Sequence, residues 1–153
     1  MVIALISDTH GLLRPEAIAA LRGAELIVHA GDVGTSRVLD ELRKLAPVHA
    51  VYGNVDDPAD PQLAKMLRLE VGGVRIHVSH GHEFGSPTPA RLLATYDADV
   101  IVYGHTHRPL VHREGSRLVV NPGAAGPRRF DIQPSVALMT IEGAKVEVRI
   151  VKL

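Results

Sequence analysis

Five short apolar runs organise the chain. Residues 2–6 (Val-Ile-Ala-Leu-Ile) are continuously apolar, the pattern of a strand buried on both faces. Residues 26–29, 48–52 and 100–103 are largely apolar too, and 74–79 alternates apolar with polar positions; each reads as a strand with a buried face. Helical spacing fills the intervals between the first three. Residues 15–21 carry Pro15 near a helix start. A second helix begins at Thr35 or Ser36, either of which suits an N-cap, and runs to about Leu45 with Leu39, Leu42 and Leu45 on one face. Pro47 stops it. Residues 89–96 predict a third helix. The rest pairs into hairpins: 66–71 with 74–79 around Gly72-Gly73, 110–112 with 117–120 around Glu114-Gly115-Ser116, and 136–141 with 145–151 around Gly143. Strand–helix alternation in the first half favours parallel pairing, and hairpins in the second half favour antiparallel pairing. Without repeats, linkers or low-complexity tracts, one domain over residues 1–153 is expected, built of two mixed sheets with outer helices.

The ends of those runs carry the chemistry. The first delivers Asp8-Thr9-His10, the second Gly31-Asp32, the third Gly53-Asn54, the fourth Ser79-His80-Gly81-His82, and the last Gly104-His105-Thr106-His107. Taken singly, Gly-Asp and Gly-Asn are ordinary turn dipeptides. Together they set carboxylates, imidazoles and one carboxamide at five strand ends, an inventory suited to a pair of divalent cations. A carboxylate can bridge two cations and a neutral imidazole cannot, so Asp32 is the natural shared ligand. The two His-x-His pairs resist a packing explanation, because buried histidines need partners. Elsewhere, His29 and His49 lie in strands and read as near-core residues, while His77 and His112 alternate with apolar neighbours and read as solvent-facing.

Composition removes competing classes. The 153 residues hold 17 basic and 17 acidic side chains, for a formal net charge of zero, with no long basic run. An electrostatic nucleic-acid footprint is therefore absent, and aromatics at 3% leave little for base stacking. Cysteine is absent, which excludes disulfides and thiolate zinc sites. The N-terminal run lacks the basic leader of a signal peptide, and no window approaches a membrane span, so a soluble cytoplasmic protein is the expectation. No Gly-x-x-x-x-Gly-Lys loop is present, which argues against an ATPase or kinase.

The order Asp-x-His, Gly-Asp, Gly-Asn, His, Gly-His-x-His resembles the calcineurin-like metallophosphoesterase superfamily from Asp8 to His107, and Asn121-Pro122-Gly123 extends the likeness to its small single-domain phosphodiesterase branch. The resemblance implies an α/β (α+β) fold, a four-layer αββα sandwich of two mixed β-sheets flanked by helices. It implies two metal sites, Asp8, His10, Asp32 and His107 for one ion and Asp32, Asn54, His80 and His105 for the other, with Asp32 bridging. Two ions roughly 3.5–4 Å apart would acidify a shared water, whose hydroxide attacks phosphorus in line with the leaving oxygen. Mn²⁺ is favoured by family usage, with Ni²⁺, Co²⁺, Fe²⁺, Zn²⁺ or Mg²⁺ as alternatives. The implied partner is a small phosphoester substrate, with no nucleic acid or membrane; a homo-oligomer is compatible. Catalytic roles are expected for Asp32, Asn54 and His82.

Two departures stand out. Many relatives have His directly after the Asn, where it assists the leaving group; here Val55 stands there, followed by Asp56. That favours diesters or good leaving groups, with His82 as a partial substitute. Relatives often have Ser after the Asn-Pro-Gly; here it is Ala124. Asn121, Gly123 and the Arg128-Arg129 pair are expected to shape the rim, the arginines as phosphate binders or as a solvated charge pair. The competing reading is a non-catalytic protein-interaction scaffold, like the retromer subunit that shares this fold. A nuclease fits the chemistry but lacks a basic surface.

Overall fold

The computed structural model describes residues Met1–Leu153. Ten strands form two five-stranded sheets, and three helices cover them. In the first sheet, β1 (Val2–Ile6), β2 (Leu26–His29) and β3 (Val48–Ala50) run parallel. Beyond β1 the hairpin β9 (Ser135–Glu142) and β10 (Lys145–Lys152) adds two antiparallel strands, giving the order β10-β9-β1-β2-β3. The second sheet repeats this plan. Its parallel centre is β5 (Val74–Val78), β6 (Val100–Val102) and β8 (Arg117–Asn121), flanked by antiparallel β4 (Leu67–Val71) and β7 (Leu110–Glu114) in the order β4-β5-β6-β8-β7.

Strand alternation sorts the core into layers. Ile3, Leu5 and Val28 of the first sheet meet Ile76, Val102 and Val120 of the second. Their neighbours Ala4, Ile6 and Ile27 point the other way, against Ala17 and Leu21 of α1 (Pro15–Leu21) and Val38, Leu39 and Leu42 of α2 (Ser36–Arg43). Across the molecule, Ile101 and Val119 pack on Leu92 and Leu93 of α3 (Pro89–Thr95). The αββα order is thus a consequence of strands buried on both faces, which need a cover on each side. No helix is long and apolar enough to cross a membrane.

Element bounds differ from the sequence expectation by up to two residues, and α2, β3 and the segment after β5 show why. Helix α2 ends at Arg43, with Lys44 at its C-cap; Leu45 sits in the turn beyond, bonded back to the Leu42 carbonyl at 3.0 Å. Thr35 holds the N-cap place, yet its hydroxyl makes no capping bond. Strand β3 is three residues long because the chain then turns to Ala64: Val51 N–H still reaches the His29 carbonyl (3.1 Å), but Val51 bridges Ala64 and Tyr52 N–H donates to the Ala64 carbonyl (2.9 Å). His82–Phe84 form a 3₁₀ turn after β5, which the apolar pattern does not show.

Candidate metal centre

All the expected ligands gather where the parallel strands of both sheets end. The loops there are zipped by main-chain bonds: Asp8 N–H to the Gly31 carbonyl (2.9 Å), His10 N–H to Asp32 (3.0 Å), Gly11 N–H to Val33 (2.8 Å) and Gly104 N–H to His80 (2.9 Å). Glycine precedes the ligands for a steric reason. A Cβ on Gly53 would overlap the Asp32 carboxylate, and one on Gly104 would overlap the Ser7 hydroxyl and the Asp8 carboxylate.

The backbone is strained at the ligands. Six non-glycine residues adopt positive φ, and five of them are Asp8 (54°), His10 (46°), Asp32 (54°), His105 (70°) and His107 (62°). Asp and His tolerate this region better than most residues, at a cost of about 1 kcal/mol each. Such strain persists only where the surroundings impose it.

The side chains converge without pairing. The carboxylates of Asp8 and Asp32 each commit one oxygen to the protein and aim the other inward. Asp8 Oδ2 accepts from the Ser7 hydroxyl (2.6 Å) and the His105 N–H (3.2 Å), and Asp32 Oδ1 accepts from the Val55 N–H (3.1 Å). Asp8 Oδ1 lies 3.2 Å from His107 Nε2, 3.8 Å from His10 Nε2 and 3.8 Å from His80 Nε2. Asp32 Oδ2 lies 3.6 Å from His10 Nε2 and 3.4 Å from His80 Nε2. Most of these separations exceed a hydrogen bond. Asp8 Oδ1, His10 Nε2 and His107 Nδ1 are buried with no hydrogen-bond partner at all. Asn54 Oδ1, on an exposed residue, completes the group at 3.2 Å from His80 Nε2 and 3.1 Å from His105 Nδ1.

Protonation points to a cation. His80 Nδ1 is 2.7 Å from the Ala30 carbonyl, which only accepts, so Nδ1 carries a proton and, in the neutral ring, Nε2 presents a lone pair to the centre. That lone pair faces the lone pairs of Asp32 Oδ2 and Asn54 Oδ1, an arrangement a cation satisfies. Burial lowers the His80 pKa, but the Asp32 and Asp8 carboxylates outweigh it and the net shift is upward. Burial likewise raises the Asp8 carboxyl, and the imidazoles of His10, His107 and His80 outweigh it, holding Asp8 well below the ordinary carboxylate range. The centre draws positive charge. Two overlapping clusters, Asp8-His10-His107 and Asp8-Asp32-His80, each bring three donor atoms within 4.8 Å of one another. Both contain Asp8, yet Asp32 Oδ2 is nearer than Asp8 Oδ1 to His10 and to His80, so either carboxylate can serve both clusters. The oxygen and imidazole donors fit divalent metals of borderline hardness.

The calcineurin-like phosphoesterase superfamily domain matches residues 1–144. The chain belongs to the calcineurin-like phosphoesterase superfamily. It is 37% identical to a probable metallophosphoesterase of Methanothermobacter thermautotrophicus, over 99% of this chain and 92% of that protein. It is 32% identical to the phosphodiesterase YfcE of Escherichia coli K12, over 81% and 79% respectively. Its fold is shared by wild-type Vps29 of Entamoeba histolytica, described as complexed with Zn²⁺, at TM-score 0.83 and 23% identity over 99% of each chain.

In this phosphoesterase-superfamily chain several supporting residues escaped the motif pattern. Asp56 accepts from three main-chain N–H groups, Val33 (3.0 Å), Gly34 (3.0 Å) and Gly53 (2.9 Å), and so clamps the Asp32 loop to the Asn54 loop. Asn121 is buried, not on the rim as expected; its amide donates to the Gly104 carbonyl and the Thr106 hydroxyl, both at 3.0 Å, beneath the two histidines. Glu83 takes the Gly81 N–H (2.8 Å) and the Tyr96 hydroxyl (2.6 Å), tying the His80 loop to α3. His29 is buried, as expected: its Nδ1 accepts from the Gly31 N–H (3.1 Å), its Nε2 faces the Thr9 hydroxyl (3.0 Å), and burial lowers its pKa to about 4.

Three other histidines correct the sequence reading. His77 is only 2% exposed, stacked on Tyr96 with 3.6 Å between ring centroids. Strand β5 is interior and α3 covers its second face, so alternation there does not mean solvent. His49 is exposed, because β3 is an edge strand with an open outer face. His112 is half-buried on edge strand β7, where its neighbour Val111 is the exposed one.

Proposed function

We propose that this protein is a phosphodiesterase working with two divalent cations, Mn²⁺ the favoured pair, on small phosphoesters. The observation that carries the reading is the convergence of Asp8, His10, Asp32, Asn54, His80, His105 and His107, with three buried donor atoms unpartnered, at one open end of the sandwich. Asp8, His10, Asp32 and His107 would hold one ion, and Asp32, Asn54, His80 and His105 the other. Bound there, the ions supply an acidified water and charge neutralisation for in-line displacement at phosphorus.

The remaining roles fall to the chain itself. Asp32 would serve both half-sites, since its Oδ2 faces His10 and His80, and the bond from Val55 N–H to its Oδ1 fixes the orientation of the carboxylate. Asn54 presents a neutral acceptor at the solvent side, so it adds no charge against an incoming phosphate. Val55, 53% exposed beside Asn54, offers no proton. His82 is the nearest substitute: its ring lies 5.4 Å from His80 and 6.4 Å from His105, centroid to centroid, and its Nδ1 is buried without a partner. A diester with a good leaving group needs least from such an acid, and the phosphodiesterase name of the YfcE relative supports this preference.

The test is hydrolysis of bis-p-nitrophenyl phosphate and p-nitrophenyl phosphate after metal stripping, with Mn²⁺, Ni²⁺, Co²⁺, Zn²⁺ or Mg²⁺ restored one at a time. Metal-restored turnover, faster on the diester, is expected, and His82→Ala steepens the dependence on leaving-group pKa. The likeness to Vps29 favours one other reading, a non-catalytic scaffold. Metal binding does not separate the two, since a Vps29 has been described with Zn²⁺. Turnover does, and its absence with every metal would favour the scaffold.

A further inference from the structure

Residues 127–132 form a turn beside His107 that the chemistry above leaves unused. Its entry is anchored at the centre. Ala125 N–H donates to the Ser7 carbonyl (2.9 Å) and Gly126 N–H to the Asp8 carbonyl (3.2 Å), while the Arg14 guanidinium is spent on the Gly126 carbonyl at 3.1 and 3.2 Å. The turn closes through Arg129 and Ile132, with the Ile132 N–H on the Arg129 carbonyl at 3.2 Å. At its tip Phe130 is 90% exposed and left-handed, φ 54°. It is the one left-handed non-glycine residue outside the ligand set, and no burial offsets its strain.

Arg128 and Arg129 line a small depression together with His107 and Ala124. Neither guanidinium is paired. The chain's arginine ion pairs belong to Arg43 and Arg75, and Arg14, Arg91, Arg113 and Arg117 donate to carbonyls. The loop that follows Asn54, by contrast, carries Asp57 and Asp60. Asp131 lies in the same turn, so with Arg128 and Arg129 against one carboxylate the His107 side is net basic, while the side beyond Asn54 is acidic. An anion on one arm of a substrate is attracted to the first edge and repelled from the second.

We propose that Arg128 and Arg129 bind a second phosphate on the substrate, so that this site prefers phosphodiesters carrying a further phosphoryl group on the arm next to His107. The proposal rests on the phosphodiesterase reading and narrows its substrate class. Guanidinium groups grip phosphate through paired N–H donors, and two unpaired ones beside a metal ligand make a directional subsite. Phe130 gives the same arm an exposed aromatic face.

The test is calorimetric binding to the Mn²⁺-loaded protein of thymidine 3′,5′-bisphosphate against thymidine 5′-monophosphate, in wild type and in the Arg128→Ala/Arg129→Ala variant, with folding checked by circular dichroism. The bisphosphate should bind the wild type about tenfold tighter, the size of one charge-assisted contact. That ratio should collapse toward one in the variant and at high salt. A wild-type ratio near one, or a ratio that survives the double substitution, overturns the proposal. Nitrophenol release from thymidine 5′-(p-nitrophenyl phosphate) and its 3′-phosphorylated form separates this from the broader reading. Release from both at equal kcat/KM would overturn the subsite alone. A binding preference without release from either would support the subsite and count against the phosphodiesterase.

Discussion

The two ends of the sandwich solve the same backbone problem with different residues. At one end, the hairpin turns reverse through Gly72, Gly73, Gly115 and Gly143, all at positive φ. At the other, positive φ falls on Asp8, His10, Asp32, His105 and His107. Glycine takes part of the strain at both ends, since Gly31 and Gly81 beside the ligands are also at positive φ, but only at the ligand end do non-glycine side chains share it. The ligand end keeps strained side chains, leaves buried donors unpaired and sets two carboxylates face to face. A fold optimised for stability alone would do none of this. The difference marks which end was shaped by chemistry.

The largest way to break the contrast is Asp32→Asn. It keeps the shape but removes a charge facing both His10 and His80, and turnover should fall about 10³-fold or more, near 4 kcal/mol in the barrier. In the metal-free protein the same change relieves repulsion from Asp8 but also removes the His80 interactions that outweigh burial and that repulsion, so the melting temperature should fall only slightly. A melting temperature that dropped sharply would mean that the carboxylate is structural.

His77 sharpens the contrast through pH. Burial outweighs the opposing Glu83 carboxylate and, with a smaller contribution from Arg68, lowers its pKa to about 4, against about 6.5 for a free imidazole. The folded state thus favours the neutral ring. Its contribution is complete above pH 6.5 and is lost as pH falls from 6.5 toward 4, where the unfolded chain binds a proton that the folded one refuses. The loss reaches about 3 kcal/mol at most. Urea unfolding at pH 7 and pH 5 should show a smaller drop in His77→Phe than in the wild type.

Next comes Asp56→Ala, which strands three main-chain N–H donors and frees the Asp32 loop. A stability cost of about 2 kcal/mol and a tenfold or greater loss of metal affinity are expected, read by urea unfolding and metal titration. The smallest effect belongs to the hairpin end. Gly143→Ala meets open space but keeps φ 60°, so it should cost about 1 kcal/mol in unfolding and leave turnover unchanged.

Much of this was legible before any coordinates. Strands β1 and β2 fall on the apolar runs themselves, because a strand buried on both faces shows no alternation and few helix signals. The seven ligand candidates were legible because each follows such a run at the end where parallel strands open. What escaped works across distance or through the main chain. Asp56 is one acid in an acidic loop until Val33, Gly34 and Gly53 are brought to it. Asn121 looks like a turn residue until Gly104 lies above it. Sequence alternation misplaces His77 and His49 in opposite directions because it reports a strand's two faces, and only the tertiary fold says which of them is covered. The end of α2 lay two residues short of the apolar spacing, since Leu45 packs from a turn.

The most direct measurement is electron paramagnetic resonance of the protein loaded with two equivalents of Mn²⁺, beside Asp32→Ala. A shared Asp32 carboxylate predicts an exchange-coupled pair in the wild type that becomes uncoupled or mononuclear in the variant. An isolated six-line signal from the wild type, unchanged by the substitution, would contradict a bridged two-cation centre.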